Sequence, residues 1–379
     1  MKNFFNAIGV ADMERVHSAV IGWMLSDDCE AFGSVVKSGL LCQLFGEESS
    51  RVFSKIKVNV EVFNIDILIE TEDKNNIKEC WIIENKIKSS QHSDQLDKYV
   101  RIITERFKVI PEKNHHFCFL TLIDEKPQVD SQQRWKNFTY ENLYFILANA
   151  LVTGNKNHEH CIILNEYAKC IKEMNDTLSD FLYHPTNYPH VFTDGSKKKD
   201  EKDEQYLQHI LGESDKYGRY ISECGLETIF QKCYLSKLWN EYLKTLNIGE
   251  KWEISESRGN AALDIHYSMI EDKSTGEKYK TQIEFQNGTF KVQIFQDKKL
   301  NQTNFQQKWK NIFELVKNNY PYWRVNSPKA NSASLYLSIS RSIGIWWTKN
   351  STELWKMIKI CEAIRKQLIA QGNCEEVNP

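Results

Sequence analysis

The chain has 379 residues and a mass of 44.5 kDa, more than one compact core usually needs, so we expect two domains. With 41% hydrophobic and 26% charged residues but only 7 Pro and 16 Gly, the composition excludes disordered, collagen-like and low-complexity proteins. The formal net charge of −2 conceals an acidic first half, because residues 1–190 carry 21 Lys and Arg against 27 Asp and Glu. This balance argues against a simple basic groove there but is compatible with carboxylates that bind cations.

The ten cysteines form no C-x-x-C pair, which is typical of reduced cytosolic thiols. A zinc cluster of His158, His160, Cys161 and Cys170 is not expected either, because these residues lack the spacing of zinc-ligand pairs. No P-loop motif occurs, so the chain has no ATP site of its own. Without a signal peptide or a run of ~18 apolar residues, we expect a cytoplasmic protein that makes no membrane contact.

The first half alternates helical and strand patterns. Apolar residues at helical spacing predict an amphipathic helix over 11–25. The patterns that follow are strands at 55–70, broken near Phe63-Asn64, and at 80–87, a helix at 93–106, a strand at 115–123 and helices at 140–151 and 160–174. This order predicts an α/β domain over residues 1–183, in which a sheet is flanked by helices.

A linker and a second domain are expected after this first domain. Residues 184–204 contain two prolines, a Gly-Ser pair and a mixed-charge run, which is typical of a linker. The later patterns are helical at 205–246, strand-like at 251–269 and 278–296, helical near 302–318, strand-like at 332–342 and helical at 351–371. They predict an α+β domain over 205–379, and we find no convincing tandem repeat.

The strongest chemical signal lies on the two strands at 55–70 and 80–87. Asp66 is flanked by isoleucines, and Glu84 shares one strand face with Lys86, so pairing the strands can bring the two carboxylates together. Two close carboxylates repel unless a cation lies between them, and Mg²⁺ suits such a pair. Lys86 could orient or deprotonate an attacking water. The alternative is a half-exposed hairpin with charged residues on its wet face.

Two weaker features lie beside this pair. Gln95 and Tyr99 are four residues apart on the following helix, and an amide next to a phenol suits a phosphate backbone or a stacked base. Taken alone, these two residues are better explained by an ordinary, partly buried helix with polar caps. Glu14 on the opening helix could reach the strand face as a third carboxylate, although alone it is no better than a solvated glutamate.

Taken in order, Glu14, Asp66, Glu84-Asn85-Lys86 and Gln95-x-x-x-Tyr99 resemble the PD-(D/E)xK nuclease superfamily, in its branch with a Gln-x-x-x-Tyr motif. The resemblance covers about residues 11–180 and includes the continuation through Trp135 and Tyr140 seen in one bacterial family. One position departs from the motif, because Ile65 replaces the proline before the aspartate. The resemblance implies a restriction-endonuclease-like mixed sheet flanked by helices.

The resemblance also implies a metal-dependent phosphodiesterase that acts on DNA. Asp66 and Glu84 would bind Mg²⁺ or Mn²⁺ with the backbone carbonyl of Asn85, and Glu14 would support the metal. Lys86 would act on the water, while Gln95 and Tyr99 would position the DNA. A free-standing nuclease of this kind suggests bacterial defence against foreign DNA or phage, by analogy alone. A catalytically silent binding module, or a nuclease gated by its second half, stays open, as does a homodimer or an activating partner.

The second half contains two further patterns with open interpretations. Leu263-Asp264-Ile265 followed by 282–286 echoes the first-half motif, but Gln286 stands where a lysine is needed, and ordinary strands are the preferred interpretation. The segment 289–329 alternates eight Lys and Arg with eight aromatic residues. It fits either a nucleic-acid surface or an amphipathic helix with its aromatics in the core.

Overall fold

The computed structural model divides the chain into two compact units. The first comprises 1–180 and 220–226, and the second comprises 181–219 and 227–379. Within the described part of the chain, no helix combines the length and apolar character that a membrane crossing requires. The structure describes residues 3–47, 50–87, 95–124, 129, 131–153, 158–188, 191, 220–221, 223–246, 251–257, 260–286, 288–296, 302–326, 335–342 and 351–377.

The first unit is built on a five-stranded mixed sheet flanked by helices, as the sequence predicts. Its strands lie in sequence order, the first three antiparallel and the last two parallel to the third. The strands are β1 (Phe53–Val62), β2 (Ile65–Asp73), β3 (Lys78–Lys86), β4 (His115–Thr121) and β5 (Trp135–Thr139). The helices are α1 (Phe4–Ala7), α2 (Glu14–Leu25), α3 (Ser34–Leu44), α4 (Gln95–Arg106), α5 (Tyr140–Thr153) and α6 (Glu159–Tyr183).

A tight turn sets the register of the site-bearing strands. Phe63 and Asn64 both have positive φ, 59° and 61°, and connect Val62 to its partner Ile65. A two-residue turn with two positive φ angles matches the twist of a hairpin. The connection from β3 to β4 is a crossover through α4, because parallel neighbours cannot be joined by a tight turn.

Both faces of the first sheet are covered. On one face α4 packs Leu96, Val100 and Ile103 against Leu68 and Ile82 in a shared core cluster. On the other face α2 approaches β1 closely at Gly22, where an added Cβ would lie 2.6 Å from Val60 Cγ2. Helix α3 and the short strand β5 were not predicted from the sequence.

The second unit is an α+β assembly around a seven-stranded sheet, in agreement with the predicted class. Its path order is β10-β11-β9-β8-β7-β12, and β6 pairs with β7. The strands are β6 (Lys251–Ser257), β7 (Asn260–Asp272), β8 (Lys278–Gln286), β9 (Thr289–Gln296), β10 (Arg324–Asn326), β11 (Leu335–Ser342) and β12 (Cys374–Val377). The helices are α7 (Glu227–Leu246), α8 (Gln302–Lys317) and α9 (Ser351–Gln371).

The basic and aromatic segment 289–329 contributes mainly to this second core. Its buried rings cannot stack on bases, so the amphipathic interpretation accounts for them, whereas Tyr322 is 78% exposed. The buried aromatic residues are Phe290, Phe305, Trp309, Phe313 and Trp323. Most of the predicted linker 184–204, and residues 205–219, lie outside the described residues.

Candidate active site

Two carboxylates meet on adjacent strands of the first sheet. Strands β2 and β3 are antiparallel, with Ile67 opposite Ile83. One position further along this register Asp66 lies opposite Glu84, and because side chains alternate across a strand, both carboxylates face the α4 side. The backbone N–H of Asn85 donates a hydrogen bond of 2.8 Å to Asp66 Oδ2, which holds the aspartate against β3.

The carboxylate of Glu84 is fully buried, and its two oxygens have different surroundings. Lys86 Nζ lies 2.7 Å from Glu84 Oε1, and Gln95 Nε2 donates to the same oxygen at 2.8 Å. Glu84 Oε2 is buried without a hydrogen-bond partner among the described residues. Burial, followed by the negative charge of Asp66, raises the pKa of Glu84 to about 8. A cation near Oε2 would offset both effects.

The remaining charges of the site are coupled to this glutamate. Burial alone lowers the pKa of Lys86, but the carboxylates of Glu84, Glu14 and Asp66 outweigh it, so the pKa is raised. Burial raises the pKa of Asp66, against the opposing effects of its backbone hydrogen bond and of Lys86. The Lys86 side chain is 12% exposed. Lys86 therefore keeps its positive charge among the carboxylates of the described site residues.

Helix α4 places Gln95 and Tyr99 one turn apart over the same face of the sheet. Gln95 Nε2 lies 2.6 Å from Tyr99 Oη as well as contacting Glu84. The Tyr99 hydroxyl donates to the backbone carbonyl of Asn64 in the β1–β2 turn, and the Tyr99 ring is 1% exposed. Burial raises the pKa of Tyr99 to about 12. The pair thus binds the carboxylate and the turn, and its contact with DNA stays a prediction.

The side chain of Asn85 faces the opposite side of the sheet. Its amide nitrogen donates to the carbonyl of Glu14 at 3.0 Å and to Ser18 Oγ at 3.1 Å. Its amide oxygen accepts a hydrogen bond of 2.6 Å from Tyr140 Oη. The backbone N–H of Ile87 donates to Glu14 Oε1 at 2.8 Å. These hydrogen bonds hold helix α2 against the C-terminal end of β3, and they place the Glu14 carboxylate beside that end of the strand.

One acidic residue near the site was missed in the sequence analysis. Glu61 lies on β1 at the position opposite Asp66, next to the paired residues Val60 and Ile67. Burial is the main reason why the pKa of Asp66 is raised. The negative charge of Glu61 raises this pKa further, by a smaller amount. The predicted break at Phe63-Asn64 is the signal that could have found it, because a two-residue turn fixes which residues face each other.

The residues present fit a small divalent cation that takes few protein ligands. In the described ranges, no three His, Cys, Asp or Glu side chains converge into a ready-made metal cluster. The site instead offers Asp66 and Glu84, the latter with a buried oxygen that lacks a partner, and Glu14 within electrostatic range of both. Mg²⁺ accepts one or two carboxylates and keeps several waters, so two carboxylates are sufficient.

Residues 2–169 match the family model of the PD-(D/E)XK nuclease superfamily. The matched segment contains all the site residues described above, from Glu14 to Tyr140. No curated protein and no solved structure matches the chain.

Proposed function

We propose that the chain is a divalent-metal-dependent nuclease that hydrolyses DNA phosphodiester bonds, because residues 2–169 match the family model of the PD-(D/E)XK nuclease superfamily. The observation that carries this proposal is the buried carboxylate of Glu84. Lys86 and Gln95 hold one of its oxygens, while the other is buried and without a partner among the described residues. A purely structural carboxylate is normally satisfied at both oxygens, so the arrangement favours a cation-binding role.

Each site residue has a role that its contacts support. Asp66 and Glu84 would hold Mg²⁺ or Mn²⁺, with the backbone carbonyl of Asn85 as a further ligand. Glu14, the first residue of α2, would support the cation from the N-terminal end of that helix. When bound, the cation supplies positive charge to the scissile phosphate and the attacking water. Lys86 would orient that water and stabilise the negative charge that develops on the phosphate.

Gln95 and Tyr99 would serve the reaction in two ways. They hold Glu84 through the Gln95 amide, which keeps the carboxylate in one orientation. We propose that they also position the DNA when the substrate approaches the α4 side. A phosphate oxygen or base that reached this side would meet the polar groups of Gln95 and Tyr99.

The test is cleavage of circular and linear, single- and double-stranded DNA with Mg²⁺ or Mn²⁺, with Lys86→Ala assayed in parallel. Loss of the charge-stabilising ammonium should lower cleavage at least ~10²-fold. Lys98→Ala is a matched control, because Lys98 is an exposed lysine on α4 and its variant should cleave like the wild type. EDTA should abolish cleavage, and the circular-versus-linear pattern separates endonuclease from exonuclease action.

Unchanged cleavage by Lys86→Ala, in a preparation free of contaminating nuclease, would contradict the proposal.

The second candidate is a catalytically silent module that binds nucleic acid or a protein. The presence of Asp66, Glu84 and Lys86 together argues against this candidate, because a nuclease fold that has lost its activity has usually lost one of these residues. DNA binding by the wild type without cleavage would support that candidate.

The biological setting is also a proposal. We propose a role in bacterial defence against foreign DNA in the cytoplasm, with a homodimer or an activating partner as the regulated form. All ten cysteines are buried thiols outside any disulfide bond, which agrees with a reducing compartment. Cleavage that appears only after a phage component is added would identify a gated enzyme.

A further inference from the structure

A second pair of opposed carboxylates lies in the other sheet. Asp264 on β7 is directly opposite Glu284 on β8, and the strands are antiparallel. Asp66 and Glu84 have the same relation on β2 and β3. In each hairpin the next pair along the register consists of two isoleucines, and each aspartate is preceded by an apolar residue.

The turns that close the two hairpins also correspond. They begin with Glu72-Asp73-Lys74 and with Glu271-Asp272-Lys273. In each turn the aspartate accepts a 2.8 Å hydrogen bond from the backbone N–H two residues later, and the glutamate pairs with the first lysine of the next strand. A residue with positive φ precedes that strand, Asn76 in the first turn and Gly276 in the second.

The strands around the two hairpins agree in the same way. Strand β6 is antiparallel to β7, with Glu253 opposite Asp264, just as Glu61 on β1 lies opposite Asp66. Strands β3 and β8 have equal lengths of 9 residues. The second hairpin has one extra residue at the bulge between His266 and Met269 and one extra in its turn. Insertions at a bulge and a turn leave the rest of the register intact.

The two copies differ after the glutamate. Strand β3 continues through α4 into the parallel strand β4, whereas β8 turns at Gly288, with φ 70°, into the antiparallel strand β9. Gln286 occupies the position of Lys86. Without the crossover helix, the second copy has no counterpart of α4 at this point in the chain. The donors to its glutamate come from β9 instead.

The second pair of carboxylates is saturated by internal donors. All four of its oxygens accept hydrogen bonds from side chains, in contrast to Glu84 Oε2 in the first pair. Protein donors therefore occupy the positions that a cation would need. These donors are Ser255 and Gln282 to Asp264, and Lys291 and Gln293 to Glu284.

We infer that the second unit contains a diverged copy of the nuclease hairpin in which the metal-binding carboxylates have become the centre of a hydrogen-bonded sheet face. Of the two carboxylate pairs, only Asp66 and Glu84 then bind a metal, and the second copy is catalytically silent. The inference rests on the proposed function only for the metal at the first pair. The likeness of the hairpins and the saturation of the second pair are independent of it.

Equivalent isosteric variants test the inference without a nuclease assay. In EDTA, Asp264→Asn should lower the thermal unfolding midpoint by about 3–6 °C, because the neutral amide replaces two hydrogen bonds to a charged acceptor, from Ser255 and Gln282, with weaker ones. Asp66→Asn should leave the midpoint unchanged or raise it, since it removes one negative charge among several. An Asp264→Asn protein as stable as the wild type would contradict the inference.

Binding of Mn²⁺ alone, followed by electron paramagnetic resonance on the full chain, supplies the second readout. Glu84→Gln should lose the bound ion, and Glu284→Gln should bind as many ions as the wild type. Loss of bound Mn²⁺ in Glu284→Gln would overturn the inference. A wild-type protein that binds no Mn²⁺ would contradict the proposed metal centre, while the contrast in unfolding midpoints would still decide whether the second pair is an internal structural network.

Discussion

Asn85 connects three elements at the end of β3, although its side chain points away from the two carboxylates. Its backbone N–H binds Asp66, and its amide group binds α2 at Glu14 and Ser18 and the first residue of α5, Tyr140. Asn85 is 0% exposed, so each of these bonds is made without competition from water. The position of Asp66 therefore depends on a network on the far side of the sheet.

Tyr140→Phe should weaken this network without changing the shape of the core. The variant leaves Asn85 Oδ1 buried without its donor, which costs about 1–3 kcal/mol in the free energy of unfolding. Cleavage should fall as well, because the strand that carries Glu84 is held less firmly. Urea unfolding and DNA cleavage measure the two effects. Tyr144→Phe, on the same helix, is the matched control, and equal behaviour of both variants would contradict the positioning role.

At the residue scale, the sequence predicted the contacts that depend on strand periodicity. Alternation along two adjacent strands is sufficient to place Asp66 beside Glu84. It could not predict the bond between Tyr140 and Asn85, which joins residues 55 positions apart through tertiary packing. The contact of Gln95 with Glu84 was missed for the same reason, because it depends on how α4 crosses the sheet.

At the scale of elements, the approach of α2 to β1 decides where Glu14 lies. Gly22 allows this approach because a Cβ there would lie 2.6 Å from Val60 Cγ2 and 3.4 Å from Val58 Cγ1. Cβ atoms essentially never lie within 3.0 Å of another atom, so a methyl group at Gly22 would force Val60 or the helix to move. Helix α2 also carries Ser18 and begins at Glu14, so a shift of the helix would move both away from Asn85.

Gly22→Ala should therefore destabilise the protein by about 1–3 kcal/mol, although alanine is the better helix former. Val60→Ala in the same chain should restore part of the loss, since it removes the atom that the new methyl group meets. Gly33→Ala is the control without a steric clash, because nothing lies within 4 Å of its added Cβ and only the N-cap preference of α3 for glycine is lost. Urea unfolding measures all four proteins, and a Gly22→Ala variant as stable as the wild type would exclude the close approach.

The sequence predicted which segments are helices or strands better than it predicted what the surfaces of these elements contact. The helix predicted near 302–318 is present as α8, but the sequence left open whether its aromatic residues face a nucleic acid or a core. Phe305, Trp309 and Phe313 are buried, and Trp309 packs edge-on against Tyr279 of β8. Periodicity shows that a helix has an apolar face, but it does not show what covers that face.

For the whole molecule, the chain is not divided at a single point. Residues 220–226 belong to the first unit, although they follow the whole predicted linker and lie within the predicted second domain. Within this segment Ile221 and Leu226 are 0% exposed, and Cys224 Sγ lies 3.9 Å from Asn6 Oδ1. That residues 1–183 form a domain stays a prediction. These bounds leave out residues 220–226, which belong to the first unit.

A fragment of residues 1–226 should thus be more stable than one of residues 1–183. Removal of Ile221 and Leu226 exposes the apolar surface that they cover, and each buried side chain of this size contributes about 1.5–3 kcal/mol. Urea unfolding of the two fragments measures the difference directly. Ile221→Ser in the longer fragment should reproduce part of the loss, because it removes one of the two fully buried apolar side chains of this segment. Equal stability of the two fragments would show that residues 220–226 contribute nothing to the first unit.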